Sequence, residues 1–112
     1  MSDIQELIDL LVKFRDDRDW GQFHDSKNLA LALSIEAAEL NELFLWKKDS
    51  ESKNIDRERL KEELADVFAY ALMLAERNNL SVSDIVKSKI QKNAEKYPVE
   101  ECRGSSAKYK EN

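Results

Sequence analysis

At 112 residues the chain is too short for a (β/α)8 barrel or a two-domain dinucleotide-binding enzyme and holds one domain's worth of material. Two glycines and one proline are too few turn-formers for a sandwich or barrel, which leaves long helices joined by few loops. A net charge of -5, from 23 acidic and 18 basic side chains, argues against a dedicated binder of duplex nucleic acid or of an anionic membrane.

In chain order, Ile4, Leu7, Ile8, Leu11 and Phe14 recur at helical spacing and predict a first helix over residues 3–18. Residues 19–25, DWGQFHD, break the period at Gly21 and form a loop rich in aromatic and polar groups. A second helix is predicted over 26–46, capped by Asp25 or Ser26. Residues 47–55 are polar and aperiodic, as an exposed connection should be. Asp56 can cap a third helix over 57–78. Ser81 with Asp84 resembles a capping box opening a fourth helix over 82–96, and Tyr97-Pro98 ends it. The tail over 99–112 has no period and is basic in parts. The pattern is that of an all-α, four-helix bundle: one domain over 1–98 and a C-terminal tail over 99–112.

So short a chain buries a limited core, and amphipathic helices often complete theirs against a partner, so homo-oligomerisation is expected. Cys102 has no second cysteine to pair with, and His24 is the one histidine, so a zinc site of Cys and His is not expected. The segment MSDIQELIDLL carries acids where a signal peptide needs positive charge, and no apolar run approaches the roughly 20 residues of a membrane span. A cytoplasmic setting with no membrane partner is the expectation.

The main clue is carboxylates on the apolar side of helices. On a wheel of about 100° per residue, Leu29, Leu33, Leu40 and Leu43 share a sector about 80° wide, with Glu36 inside it and Glu39 at its edge. On the third helix Leu60, Leu64, Val67, Ala71 and Leu74 form the stripe, with Glu63 on its border and Asp66 and Tyr70 continuing down the same flank. Burying an unpaired carboxylate is costly, so Glu36 calls for a cation, a basic partner or a raised pKa. A lone E-x-x-E is common on solvated helix faces. Two acidic pairs on adjoining helices, each at the apolar border, are a stronger signal. If those helices pack antiparallel, four carboxylates converge. Hard oxygen donors without His or Cys suit Mg²⁺ or Mn²⁺ rather than Zn²⁺. A di-iron bundle would need E-x-x-H, and the second and third helices contain no histidine.

Aromatic and basic groups surround the acids in sequence. Trp20, Phe23 and His24 cluster in the first loop, Trp46 ends the predicted second helix, and Tyr70 follows Asp66 by one turn. Flat rings near a carboxylate cluster can hold a planar ring by stacking. Lys89, Asn93 and Lys96 fall near one face of the fourth helix, and Arg103 and Lys108 follow in the tail, where basic groups can bind phosphates.

These segments carry a resemblance. RDWGQFH (18–24), KNLALAL (27–33), EAAEL (36–40), ELFLW (42–46), EELADVFAY (62–70), Tyr97-Pro98 and RGSSAKY (103–109) together resemble the MazG-like nucleoside triphosphate pyrophosphohydrolases, and within them the dCTP pyrophosphatase branch. One departure is Ala37-Ala38 between the paired glutamates, where relatives often carry Val-Gly. The resemblance implies Mg²⁺-dependent hydrolysis of a nucleoside triphosphate to a monophosphate and pyrophosphate, with Mn²⁺ as a substitute, and dCTP or a related or modified nucleotide as the expected substrate. By position it makes Glu36, Glu39, Glu63 and Asp66 the metal ligands, with Glu36 or Glu39 handling the attacking water. Trp20, His24, Trp46 and Tyr70 match positions around the base and sugar, and Lys89 and Asn93 match positions that contact the nucleotide from another subunit. The assembly it implies is a homodimer or homotetramer with sites at interfaces, the tail joining the nucleotide site or the interface. Two other readings stay open: a non-catalytic helical interaction module, and a nucleotide-sensing regulator on the same fold.

Overall fold

In the computed structural model, residues 2–48 and 54–104 are described, and all regular structure among them is helical. Each long helix starts at a side chain able to satisfy its free N–H groups. Ser2 Oγ accepts from the Gln5 N–H at 3.2 Å and opens α1 (Asp3–Asp17). Asp25 Oδ1 accepts from Asn28 N–H at 2.8 Å and opens α2 (Ser26–Glu42). Asp56 Oδ1 accepts from Glu58 and Arg59 N–H and opens α3 (Arg57–Arg77). Ser81 Oγ accepts from Asp84 N–H and opens α4 (Val82–Lys96), and Pro98 precedes the short α5 (Val99–Cys102). Between α1 and α2 the backbone makes one 3-10 turn, Trp20–Gln22.

The second helix is shorter than its hydrophobic period suggests. Regular α-helix stops at Glu42, and the bonds that follow are tighter: Leu43 N–H to Leu40 O, Phe44 N–H to Asn41 O and Leu45 N–H to Glu42 O. Such three-residue turns keep Leu43 facing inward, 7% exposed, so the apolar spacing runs on past the helix end. Trp46 then takes a left-handed backbone, φ 64°, and stands 95% exposed. It is therefore not the last residue of a helix. The C-terminal segment also departs from expectation, because Val99–Cys102 close one helical turn where no period was visible.

The chain divides into two compact units, Met1–Asn79 and Leu80–Asn112. In the first, α2 and α3 pack antiparallel. Asn78 Nδ2, just past α3, donates to Ser26 Oγ at the start of α2 at 3.0 Å, and Glu63 near the start of α3 meets Glu36 and Glu39. The α1 helix runs beside α3 in the same direction, with Arg15 Nη1 bonded to Glu76 Oε2 at 3.0 Å. The core is small: among the described residues Ile8, Leu29, Leu43, Met73 and Ala75 are buried. In the second unit, α4 buries none of its residues.

Candidate active site

Antiparallel packing of α2 and α3 turns two separate acidic pairs into one cluster. Carboxylate oxygens of Glu36, Glu39 and Glu63 lie within 4.8 Å of one another. Glu36 and Glu63 are half-buried, and one oxygen of each, Oε2, is buried without a hydrogen-bond partner. Burial pushes the Glu36 carboxyl up to about 7, helped by its hydrogen bond to Glu39 and by the charges of Glu39, Asp66 and Glu63. Glu63 is raised for the same reasons, burial first and the Glu39 charge next, with Arg59 opposing. Asp66 lies one turn beyond Glu63 and outside the 4.8 Å group, yet its charge reaches both buried acids. Like charges this close, with oxygens that no protein donor satisfies, form a poor resting state for the chain alone. They form a good ligand set for a hard divalent cation, with no His or Cys to favour a softer one.

A cavity of about 250 Å³ is lined by Asp66, one turn from Glu63 of the cluster. Trp20 and His24 line one side, Ala69, Tyr70 and Met73 the α3 side, and Leu11, Phe14 and Arg15 the α1 side. Trp20 stands edge-on to Phe14, ring centroids 5.8 Å apart, and its ring lies 6.3 Å from that of His24. The Arg18 guanidinium lies over the Phe14 ring at 3.6 Å and donates to Phe14 O at 3.0 Å, tying the start of the loop back to α1. His24 Nδ1 is buried without a partner. Burial, and then the charges of Glu36, Asp66 and Glu39, push the Tyr70 phenol up, so its O–H stays a donor.

The predicted substrate residues thus divide. Trp20, His24 and Tyr70 come together in the cavity wall beside Asp66. Phe23 is 60% exposed and does not line that cavity, and Trp46 projects into solvent from its left-handed turn. Lys89, Asn93 and Lys96 lie on α4 and Arg103 follows α5, all in the second unit, while Lys108 lies outside the described residues. Lys89 borders a separate surface hollow with Asp84, Ile85, Ser88 and Lys92. Arg15 was not visible as a site residue in the sequence. One arginine near the end of an amphipathic helix reads as solvated charge, and only its burial between α1 and α3 distinguishes it.

A family model described as the MazG-like family matches residues 31–111. The chain belongs to the MazG-like family. Among similar MazG-like proteins, dCTP pyrophosphatase 1 of Rattus norvegicus is 41% identical over 111 residues, which cover 95% of this chain and 65% of the relative. The Homo sapiens protein of the same name is 41% identical over 113 residues, covering 96% of this chain and 66% of its own length. The chain therefore spans just under two thirds of these relatives. A solved structure described as a pyrophosphatase from Archaeoglobus fulgidus superposes with a TM-score of 0.83 at 39% identity, covering 88% of this chain and 94% of that one. That likeness extends the MazG-like assignment to the all-helical fold.

Proposed function

We propose that the chain is a nucleoside triphosphate pyrophosphohydrolase that cleaves between the α- and β-phosphates of a deoxynucleotide, with dCTP as the preferred substrate and Mg²⁺ as the cofactor. The carrying observation is the pair of buried, unpartnered oxygens on Glu36 and Glu63 within a three-carboxylate cluster, one turn from the Asp66 that lines an aromatic cavity. The names of its similar relatives support the reaction class.

Glu36, Glu39 and Glu63 would hold the cation, with Asp66 beside them. When bound, Mg²⁺ neutralises the triphosphate and acidifies water. Glu36 or Glu39 orients the water that attacks the α-phosphorus and takes its proton. The bond from that phosphorus to the bridging oxygen breaks, and pyrophosphate leaves. Trp20 and His24 face Tyr70 across the cavity and hold the ring, with Tyr70 as a hydrogen-bond donor. Lys89 and Asn93 of another subunit would contact the nucleotide, and Lys96, Arg103 and Lys108 are candidate phosphate ligands, in a homodimer or homotetramer. The role that follows is removal of surplus or noncanonical nucleotides in the cytoplasm.

Incubating the protein with dCTP and Mg²⁺ and separating products by anion exchange tests the reading. dCMP with pyrophosphate is the expected pair. dCDP with orthophosphate would mean another phosphatase, and binding without product a nucleotide sensor. Glu63→Gln removes a ligand charge worth several kcal/mol in the transition state, so the rate should fall about 100-fold or more with helicity intact. An unchanged rate would exclude Glu63 as a ligand.

A further inference from the structure

Arg15 lies outside the acid cluster, lines the α1 side of the cavity and bonds α1 to α3. Its side chain is 15% exposed, Nη1 donates to Glu76 Oε2 at 3.0 Å across α1 and α3, and Nε donates to Asp16 Oδ1 at 3.0 Å. The 3-10 turn lies close to this group: a Cβ at Gly21 would meet Arg15 Nε at 3.6 Å and Asp16 Oδ1 at 4.0 Å, ordinary van der Waals distances. Through that turn the position of Gly21 carries to both cavity rings, since Phe23 N–H donates to Trp20 O at 2.9 Å and His24 N–H to Gly21 O at 3.3 Å. Burial does not hold the turn in place, because Trp20 is 42% exposed. Asp19 at its entrance has a left-handed backbone, φ 53°, which aspartate adopts more readily than most residues, and its carboxylate accepts from Gln22 Nε2 within the same turn.

We infer that Arg15 is a positioning residue for the ring-binding cavity. Bonded to Glu76 on α3, oriented by Asp16 on its own helix and lying close to Gly21 of the turn, it sets the distance between the Trp20–His24 wall and the Tyr70 wall, and so decides which rings fit. A planar guanidinium can serve both carboxylates in fixed directions, whereas a lysine ammonium is a point charge that keeps one of them. The inference takes its kinetic readout from the proposed hydrolysis, but its structural readout stands apart from it.

The experiment compares Arg15→Gln, Arg15→Lys and Glu76→Gln in the full chain. With dCTP and Mg²⁺, Arg15→Gln should raise KM about tenfold while kcat stays within about threefold, the signature of lost ring binding rather than lost chemistry. Arg15→Lys should fall between Arg15→Gln and the parent, and Glu76→Gln should shift KM in the same direction. The rise in melting temperature on adding Mn²⁺ should be unchanged, because the acid cluster is intact. In a Trp46→Phe background Trp20 is the one tryptophan left, and Arg15→Gln should weaken its near-ultraviolet circular dichroism without any ligand. Unchanged KM and an unchanged Trp20 signal in the glutamine variants would overturn the inference, even if stability fell. Should Arg15→Gln fail to fold, the more exposed Glu76→Gln decides by the same two readouts. If the parent protein makes no dCMP, the proposed hydrolysis fails, and the Trp20 signal alone decides the role of Arg15.

Discussion

Glu36 is half-buried beside two other glutamates and holds its proton up to about pH 7. An unfolded glutamate releases it near 4.5. Between those values the folded chain carries a proton that the unfolded chain has lost, so raising the pH favours unfolding. The contribution of Glu36 to stability is full below about 4.5 and is lost as pH rises through about 7. Without metal, the parent protein should therefore lose melting temperature relative to Glu36→Gln between pH 5 and 8, since glutamine cannot ionise. Adding Mn²⁺ should reverse that slope, because the cation needs the ionised carboxylate and its binding expels the proton. Parallel melting curves for the two proteins across this range would mean that Glu36 titrates normally. The helical wheel made this residue legible in the sequence, because a glutamate inside a leucine sector has to be explained. It could not reveal which oxygens lack partners, or that three acids and not four fall within 4.8 Å, since both depend on how two helices meet.

At the scale of elements, local hydrogen bonding and apolar period were enough to place the four long helices, and they misled where the two diverge. Asp25, Asp56 and Ser81 each accept the backbone N–H groups expected of an N-cap. The second helix ended early because its last apolar residue, Leu43, stays buried through a tighter turn, which periodicity alone cannot distinguish from α-helix. The Asp25 cap also borders the site. Asn28, whose N–H it accepts, donates through Nδ2 to Phe23 O at 3.1 Å and so ties α2 to the aromatic loop. Asp25→Ala should cost about 1 kcal/mol, lowering the melting temperature by roughly 4–8 °C. Urea titration followed by circular dichroism checks the first value. A midpoint unchanged from the parent would show that water replaces the cap at no cost.

For the whole molecule, burial decides whether one chain is enough. Few residues are buried, whereas Leu7 is 51% exposed, Leu10 65%, Phe14 49% and Phe68 60%. Two of them, Leu7 and Phe68, join Leu11 and Leu72 in lining one groove of about 450 Å³ between α1 and α3, and that groove shares Leu11, Asp66 and Ala69 with the aromatic cavity. A continuous apolar face next to a site is what a partner covers, and removing such side chains from water contributes about 25 cal/mol per Å². We therefore expect a dimer or tetramer in solution by light scattering coupled to size exclusion. Leu7→Glu places a charge in that groove while leaving the small core untouched, and in a lone chain it should cost little because the position is already half open to water. Dissociation, with a lower melting temperature that depends on protein concentration, is the expected result. An unchanged mass and melting temperature would mean that Leu7 and its groove face solvent in the protein in solution.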